Sequence, residues 1–231
     1  MHLLNKWQLE VGKLMQRIYA ATTDKHWLVE ENKMKQARCL NNKELNLLLL
    51  YINTRKHAAR DRAIVLMTYW GGMRIGEVAA TKLKDVLAAD GSIKQEINLS
   101  VSQTKGKYSR TVILADKLRN EIQTYLQTRF NTKQLIALTY SEHINKPLFA
   151  TQKCEGFSAN TLCYTMHMLY KAAGLSGASS HSGRIFFLSS LSAKAVPLKV
   201  LMKLAGHRQA QTTMRYIHVT PDALRAAANL L

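Results

Sequence analysis

The chain has 231 residues, enough for one large domain or two small ones, and an apolar fraction of 47% is ample for a real core. Its 33 Lys and Arg against 15 Asp and Glu give a net charge of +18, which favours a polyanionic partner, because neutralising phosphates releases condensed counterions. The longest apolar run, Leu47 to Ile52, is far below the ~20 residues that span a bilayer, and Met1-His2-Leu3 opens no signal peptide, so neither membrane insertion nor secretion is expected and the localisation expected is cytoplasmic, with the nucleoid.

Residues 1–36 read as one or two short helices, with Leu3, Leu4, Trp7, Val11, Leu14, Met15 and Ile18 at helical spacing. They are too few for a domain of at least ~50 residues, which leaves residues 37–231 as the main domain. Asn41, with Glu44 three residues later, predicts a capping box that opens a helix through Leu45 to Ile52. A second helix is expected from about Ala58 to Trp70, ended by Gly71-Gly72, because glycine takes the left-handed terminal conformation at no steric cost. A short helix then carries Arg74 to Ala80. Alternating Ile97, Leu99 and Val101, followed by Thr111-Val112-Ile113-Leu114, predict a β-hairpin with Lys105-Gly106-Lys107 at its tip.

Downstream, helices are expected from about Asp116 to Phe130 and from Ser158 to Ala173, the latter closed by Gly174. Two more flank His207, one beginning near Pro197 and one including Tyr216, and a last helix follows Thr220-Pro221. Cys39, Cys154 and Cys163 are scattered, odd in number and without metal-ligand spacing. They predict reduced, mostly buried thiols, with neither a disulfide nor zinc.

The charge is uneven. From Gly156 to Pro221 there is no Asp or Glu, while Lys171, Arg184, Lys194, Lys199, Lys203, Arg208 and Arg215 all fall there. Taken singly, the polar residues of interest have ordinary readings. Arg74 and Glu77 match an exposed i,i+3 pair, His181 and Arg184 share one face if both are helical, and a tyrosine among small and apolar residues, as Tyr216 is, usually belongs to the core.

In combination and in this order, Arg74 within GGMRIGE, Lys105 within QTKGK, His181-x-x-Arg184 within SSHSGR, Ala205-Gly206-His207 and Tyr216 within TTMRYIHV resemble the tyrosine recombinase, or phage integrase, family. The resemblance covers roughly residue 38 to the C-terminus. It implies a mainly α catalytic domain with a small antiparallel β-hairpin, gripping one face of double-stranded DNA. It also implies cleavage through a 3′-phosphotyrosine at Tyr216 with a free 5′-hydroxyl, no metal or ATP, four protomers on two DNA sites, and accessory DNA-bending proteins.

The residue types suit phosphoryl transfer. Attack on a phosphodiester develops charge on the non-bridging oxygens, and two guanidiniums, Arg74 and Arg184, supply planar, permanently charged donors for it. His181 and His207 can hydrogen-bond the same phosphate. The resemblance implies that His181 also accepts the tyrosine proton, which a phenol of pKa ~10 retains near neutrality. The leaving 5′ oxygen needs a proton, and the family assigns this to a hairpin lysine. Lys105 matches, and Lys107, on the same side of an ideal strand, is its rival. Glu77 is expected to orient an active-site cation, and Lys107, Arg110, Lys203, Arg208 and Arg215 to contact DNA.

Three departures from the family pattern carry expectations of their own. Gly183 replaces a larger apolar residue and Ile185-Phe186 replaces a polar pair, which should loosen or re-aim the helix that follows His181. Residues 1–36 are too short for the family's separate DNA-clamping domain, so the chain is either a shortened member or part of a longer one. The apolar stripe Leu224, Ala227, Ala228 and Leu231 packs either on a neighbouring protomer or on its own core. Two competing readings are a catalytically idle DNA-binding regulator and a type IB topoisomerase. The complete residue set counts against the first, and the short front and compact tail against the second.

Overall fold

A computed structural model describes residues 37–104, 108–151, 155–217, 225 and 228–229. The N-terminal helices expected over residues 1–36, the hairpin tip with Lys105 and Lys107, Cys154, and most of the stretch after Pro221 lie outside the described residues.

Helix α1 (Asn42–Asn53) opens on the capping box that the sequence predicts. Glu44 N donates to Asn41 Oδ1 at 3.0 Å and Asn41 N to Glu44 Oε2 at 2.9 Å, so two N–H groups that the first turn leaves orphaned are satisfied reciprocally. Leu45, Leu48, Leu49 and Ile52 face inward at helical spacing. Helix α2 (Ala58–Tyr69) is buried all round from Ala63 to Tyr69, as befits the central helix of the core, and Gly72 follows it at φ +59°. Short helices α3 (Ile75–Ala80) and α4 (Leu83–Val86) lead into the hairpin.

Strand β1 (Glu96–Leu99) pairs antiparallel with β2 (Arg110–Ile113), Ile97 opposite Val112. Val101, expected to continue β1, instead begins a 3-10 turn (Val101–Gln103) and is exposed. The cause is Gln103. Its Oε1 accepts from Ser100 N at 2.9 Å while its Nε2 donates to Ala80 O at 2.9 Å and Asp85 Oδ2 at 2.7 Å, so the strand is curled and its end fastened to α3 and α4.

Helix α5 (Asp116–Gln127) stops short of the expected Phe130, and Asn131 caps a further helix, α6 (Thr132–Thr139). Helix α7 (Ala159–Ala172) starts at the Ser158 cap and precedes Gly174 at φ +72°. Then come α8 (Ser182–Ser192), α9 (Leu198–Ala205) and α10 (Ala210–Met214). Most buried apolar side chains form one core, and a smaller cluster of Leu188, Leu201 and Ala205 lies between α8 and α9. The mainly α architecture with its two-stranded sheet matches the expectation.

Gly183 does not loosen α8. A Cβ there would fall 2.8 Å from both Thr68 Cβ and Tyr69 Cδ2 of α2, so the missing side chain is what lets α8 approach α2 so closely. Ile185 and Phe186 are buried, and the Phe186 ring packs 5.2 Å from that of Tyr69. Ile185-Phe186, in place of a polar pair, therefore seats the helix by apolar burial. Cys39 and Cys163, expected to be buried, are exposed free thiols. Cys39 precedes α1, and Cys163 is off the stripe of Leu162, Met166, Leu169 and Tyr170 that α7 buries. Among the described residues no helix is long and apolar enough to cross a membrane.

Candidate active site

The site is built around one buried carboxylate. Arg74 is the residue immediately before α3, in extended conformation, so its backbone N–H and side chain both turn back on Glu77. Its N donates to Glu77 Oε2 at 2.8 Å and its Nη1 to Oε1 at 3.0 Å. Arg110 of β2 reaches the same carboxylate from the other side, Nε to Oε1 at 3.1 Å and Nη2 to Oε2 at 2.6 Å. Glu77 is 1% exposed, so the pair is not the solvated i,i+3 contact that spacing alone suggests. Burial pushes the Glu77 carboxyl up, but the hydrogen bonds and charge of Arg110, then Arg74, outweigh it and hold it below its ordinary 4.5.

Arg110, expected on the DNA-facing surface, has only 8% of its side chain exposed. Its Nη1 donates to Leu204 O at 3.0 Å, which fastens the hairpin to α9. Gly206 ends α9 at φ +65°, a left-handed conformation that glycine adopts without strain. A Cβ there would also lie 2.5 Å from Arg110 Cδ. Glycine at this point both reverses the chain and leaves room for the arginine, and His207 follows with its N–H donating to Met202 O at 2.9 Å.

His207 joins the remaining parts. Its Nε2 is 2.8 Å from Arg184 Nη2, its Nδ1 is 2.9 Å from Thr213 Oγ1, and its ring stacks on Tyr216 with centroids 6.0 Å apart and planes 20° from parallel. Arg184 is 4% exposed. Its Nη1 donates to Gly72 O at 2.5 Å and its Nη2 to Ala205 O, so the guanidinium bridges the end of α2 and the end of α9. Burial, then the charges of Arg74 and Arg110, pushes Arg184 down to about 9, which leaves it charged near neutrality. Burial, then Arg184, Arg74 and Arg110, pushes His207 down to about 4, so its ring is neutral at pH 7.

Tyr216 lies just beyond α10, not within a helix as expected. Its N donates to Thr213 O at 3.0 Å, its carbonyl accepts from Ser189 Oγ at 3.1 Å, and it packs partly buried on the small apolar cluster. His181 is exposed and is the residue immediately before α8, but its backbone is already helical and its carbonyl accepts from Ile185 N at 3.0 Å, so it stands one turn before the buried Arg184.

Arg74, Arg110 and His207 line an open groove of about 1110 Å³ whose other walls include Asn98, Tyr108, Lys203 and Arg208, and no Asp or Glu is among its lining residues. Lys203 and Arg208 are exposed there, with the Arg208 guanidinium 4.2 Å from the Tyr108 ring centroid. Arg215 is exposed beside Tyr216. The structure thus brings together Arg74, Glu77, Arg184, His207 and Tyr216, while Lys105 and Lys107 lie outside the described residues. Sequence reading passed over Thr213, Ser189 and the double attachment of Arg110. For Thr213 a signal existed, since it precedes Tyr216 by one helical turn.

The sequence profile of the phage integrase family matches residues 38–222. Transposase A from transposon Tn554 of Staphylococcus aureus is 25% identical over 85% of this chain and 53% of its own length. Tyrosine recombinase XerA of Pyrococcus furiosus is 28% identical over 76% of this chain and 57% of its own. The chain therefore spans about half the length of the curated relatives it matches. Among solved structures, the XerH site-specific recombinase bound to a palindromic difH substrate, in a post-cleavage complex, is 25% identical, with a TM-score of 0.62 over 84% of this chain and 53% of that one. The match spans α1 to α10 and every part of the groove described above, and the chain belongs to the phage integrase family.

Proposed function

We propose that this chain is the catalytic portion of a site-specific recombinase that cuts and rejoins double-stranded DNA through Tyr216. The observation that carries the proposal is the unbroken series of contacts from Glu77 through its two arginines to the groove, and from Arg184 through His207 to the Tyr216 ring. A phosphate seated in that groove meets fixed cations and no lining carboxylate, which is what the charge developing on a pentavalent transition state requires.

In this reading Arg74 and Arg184 hold the non-bridging oxygens, His207 adds a hydrogen bond, and His181 takes the tyrosine proton. Tyr216 forms a 3′-phosphotyrosine that conserves the energy of the broken bond and releases a 5′-hydroxyl, so neither metal nor ATP enters the reaction. Glu77 keeps Arg74 and Arg110 in place, which makes Arg110 a positioning group first and a DNA contact second. Lys203, Arg208 and Arg215 contact the backbone. Lys105 or Lys107 protonates the leaving oxygen. Support for DNA as substrate comes from the charge of +18 and from the XerH site-specific recombinase, whose structure holds its difH substrate in a post-cleavage complex. A tetramer on two duplexes and DNA-bending helpers belong to the same proposal.

The test uses a duplex site selected from random-sequence DNA by binding to the protein, nicked near its centre so that a cleaved fragment escapes. The protein should become covalently attached, and Tyr216→Phe should abolish the adduct. Persistence of the adduct in that variant removes Tyr216 as the nucleophile. The proton donor is separated with a 5′-sulfur leaving group, which needs no proton. Whichever of Lys105→Ala and Lys107→Ala is slow on oxygen but not on sulfur identifies the acid, and equal slowing on both substrates removes that lysine.

A further inference from the structure

Thr213 is fully buried, and its hydroxyl oxygen meets His207 Nδ1 at 2.9 Å. Across the ring, Nε2 lies 2.8 Å from Arg184 Nη2. A guanidinium has donors only, so Nε2 offers its lone pair there. A neutral imidazole has one proton, which is then on Nδ1, and Thr213 Oγ1 accepts it. In this arrangement His207 has no hydrogen to give a phosphate, because its only donor points inward.

We infer that Thr213 is a positioning residue whose hydroxyl lets His207 change tautomer, from an acceptor facing Arg184 to a donor facing a bound phosphate. When a phosphate oxygen takes over the Arg184 donor, Nε2 must carry a hydrogen to bond that oxygen. One proton leaves Nδ1 to water and one reaches Nε2 from water, so the ring stays neutral. The Thr213 hydroxyl then rotates and donates to the lone pair now exposed on Nδ1. A hydroxyl serves in both directions, whereas a carbonyl or a carboxylate could only accept. Thr213 is also bound to the nucleophile's backbone, Tyr216 N donating to Thr213 O at 3.0 Å. The same residue therefore fixes the imidazole plane relative to the tyrosine that stacks on it.

The phosphate half of this inference rests on the recombinase reading, and the tautomer of the free protein does not. The experiment is nitrogen NMR of the histidine rings in the full chain at pH 7, with inorganic phosphate as the probe, alongside adduct formation on the nicked duplex. His207 of the free protein should be neutral with its proton on Nδ1, and saturating phosphate should move that proton to Nε2. Thr213→Val, which keeps the shape and removes the hydroxyl, should lose the single tautomer and form adduct about ten-fold more slowly, the loss of one hydrogen bond, while Thr213→Ser recovers most of the rate. An Nε2–H or cationic ring in the free protein overturns the inference. So does a ring that keeps its Nδ1 proton in phosphate or takes up a second one, and so does a Thr213→Val protein with unchanged tautomer and rate. If the wild type forms no adduct at all, the recombinase reading fails separately and the tautomer measurements alone decide the role of Thr213.

Discussion

Arg74, which would grip a phosphate, and Tyr216, which would attack it, are held by two apolar clusters of very different size. Arg74 and Glu77 stand on the main core, which runs from Leu40 to Ala178 and takes in Phe186. Tyr216 rests on Leu188, Leu201 and Ala205, with partly buried neighbours such as Phe187 and Leu191. Stability from burial scales with apolar area removed from water, and segments with few buried contacts open at lower free energy than the core. A charged cradle gains from rigidity, because donors fixed in advance need no reorganisation as charge develops. A nucleophile that must approach, bond and later depart is better served by a shallow seat.

The largest effect separates the clusters directly. Leu66→Ala, at a side chain with no exposure in α2, should cost near the upper end of the usual range, about 5 kcal/mol. Leu201→Ala, 1% exposed in the small cluster, should cost nearer about 2 kcal/mol, because a site close to the surface collapses more easily. Urea unfolding measures both, and equal losses would break the comparison. Next comes Glu77→Gln, which strands the buried Arg110 guanidinium and should cost about 3–5 kcal/mol. The Glu77 carboxyl is held below its ordinary 4.5, so its stabilisation is complete above that value and is lost as pH falls through the folded-state value. Melting temperatures should fall below pH ~4.5 in the wild type and lose part of that dependence in Glu77→Gln.

Chain-local features were largely legible in the sequence. The Asn41–Glu44 box, the glycine ends of α2 and α7, and the hairpin strands all depend on residues within a few positions of one another. What escaped depends on distant partners. Val101 leaves the strand because Gln103 finds Ala80 and Asp85, and Gly183 tightens α8 because Thr68 and Tyr69 of another helix occupy its side-chain space. The site divides the same way. Arg74, Arg184, His207 and Tyr216 could be picked as candidates from order and residue type, and the fold brings them together, but Arg110 read as one more surface cation, since nothing local shows that its guanidinium is committed to Glu77 and Leu204. Helix α6 is a different case, because the Asn131–Gln134 box is as local as the one at Asn41 and was passed over.

A smaller effect bears on the Tyr216 side. His207 is pushed from 6.5 down to about 4, so the folded state resists protonating it while the unfolded chain does not. Its depressed value makes stability fall as pH drops from about 6.5 towards about 4, a window above that of Glu77. The contribution is modest because the ring is only half-buried. Comparing melting temperature against pH for the wild type and His207→Gln isolates it, and parallel curves between pH 6.5 and pH 4 would assign the acid sensitivity elsewhere.

The weakest link worth measuring crosses between the two regions. Arg208, next to His207, stacks 4.2 Å from the ring of Tyr108, which follows the hairpin tip. Thr104 Oγ1 donates to Tyr108 O at 2.7 Å and closes the hairpin beneath it. Both partners are exposed, so the double-mutant cycle of Tyr108→Ala and Arg208→Ala should give a coupling of only about 0.5–1 kcal/mol. It should nonetheless weaken when DNA is bound, because a phosphate competes for the guanidinium. A coupling that grows on DNA instead would mean that the two regions are clasped during the reaction, and the shallow seat proposed for Tyr216 would then be stiffened at the moment it is used.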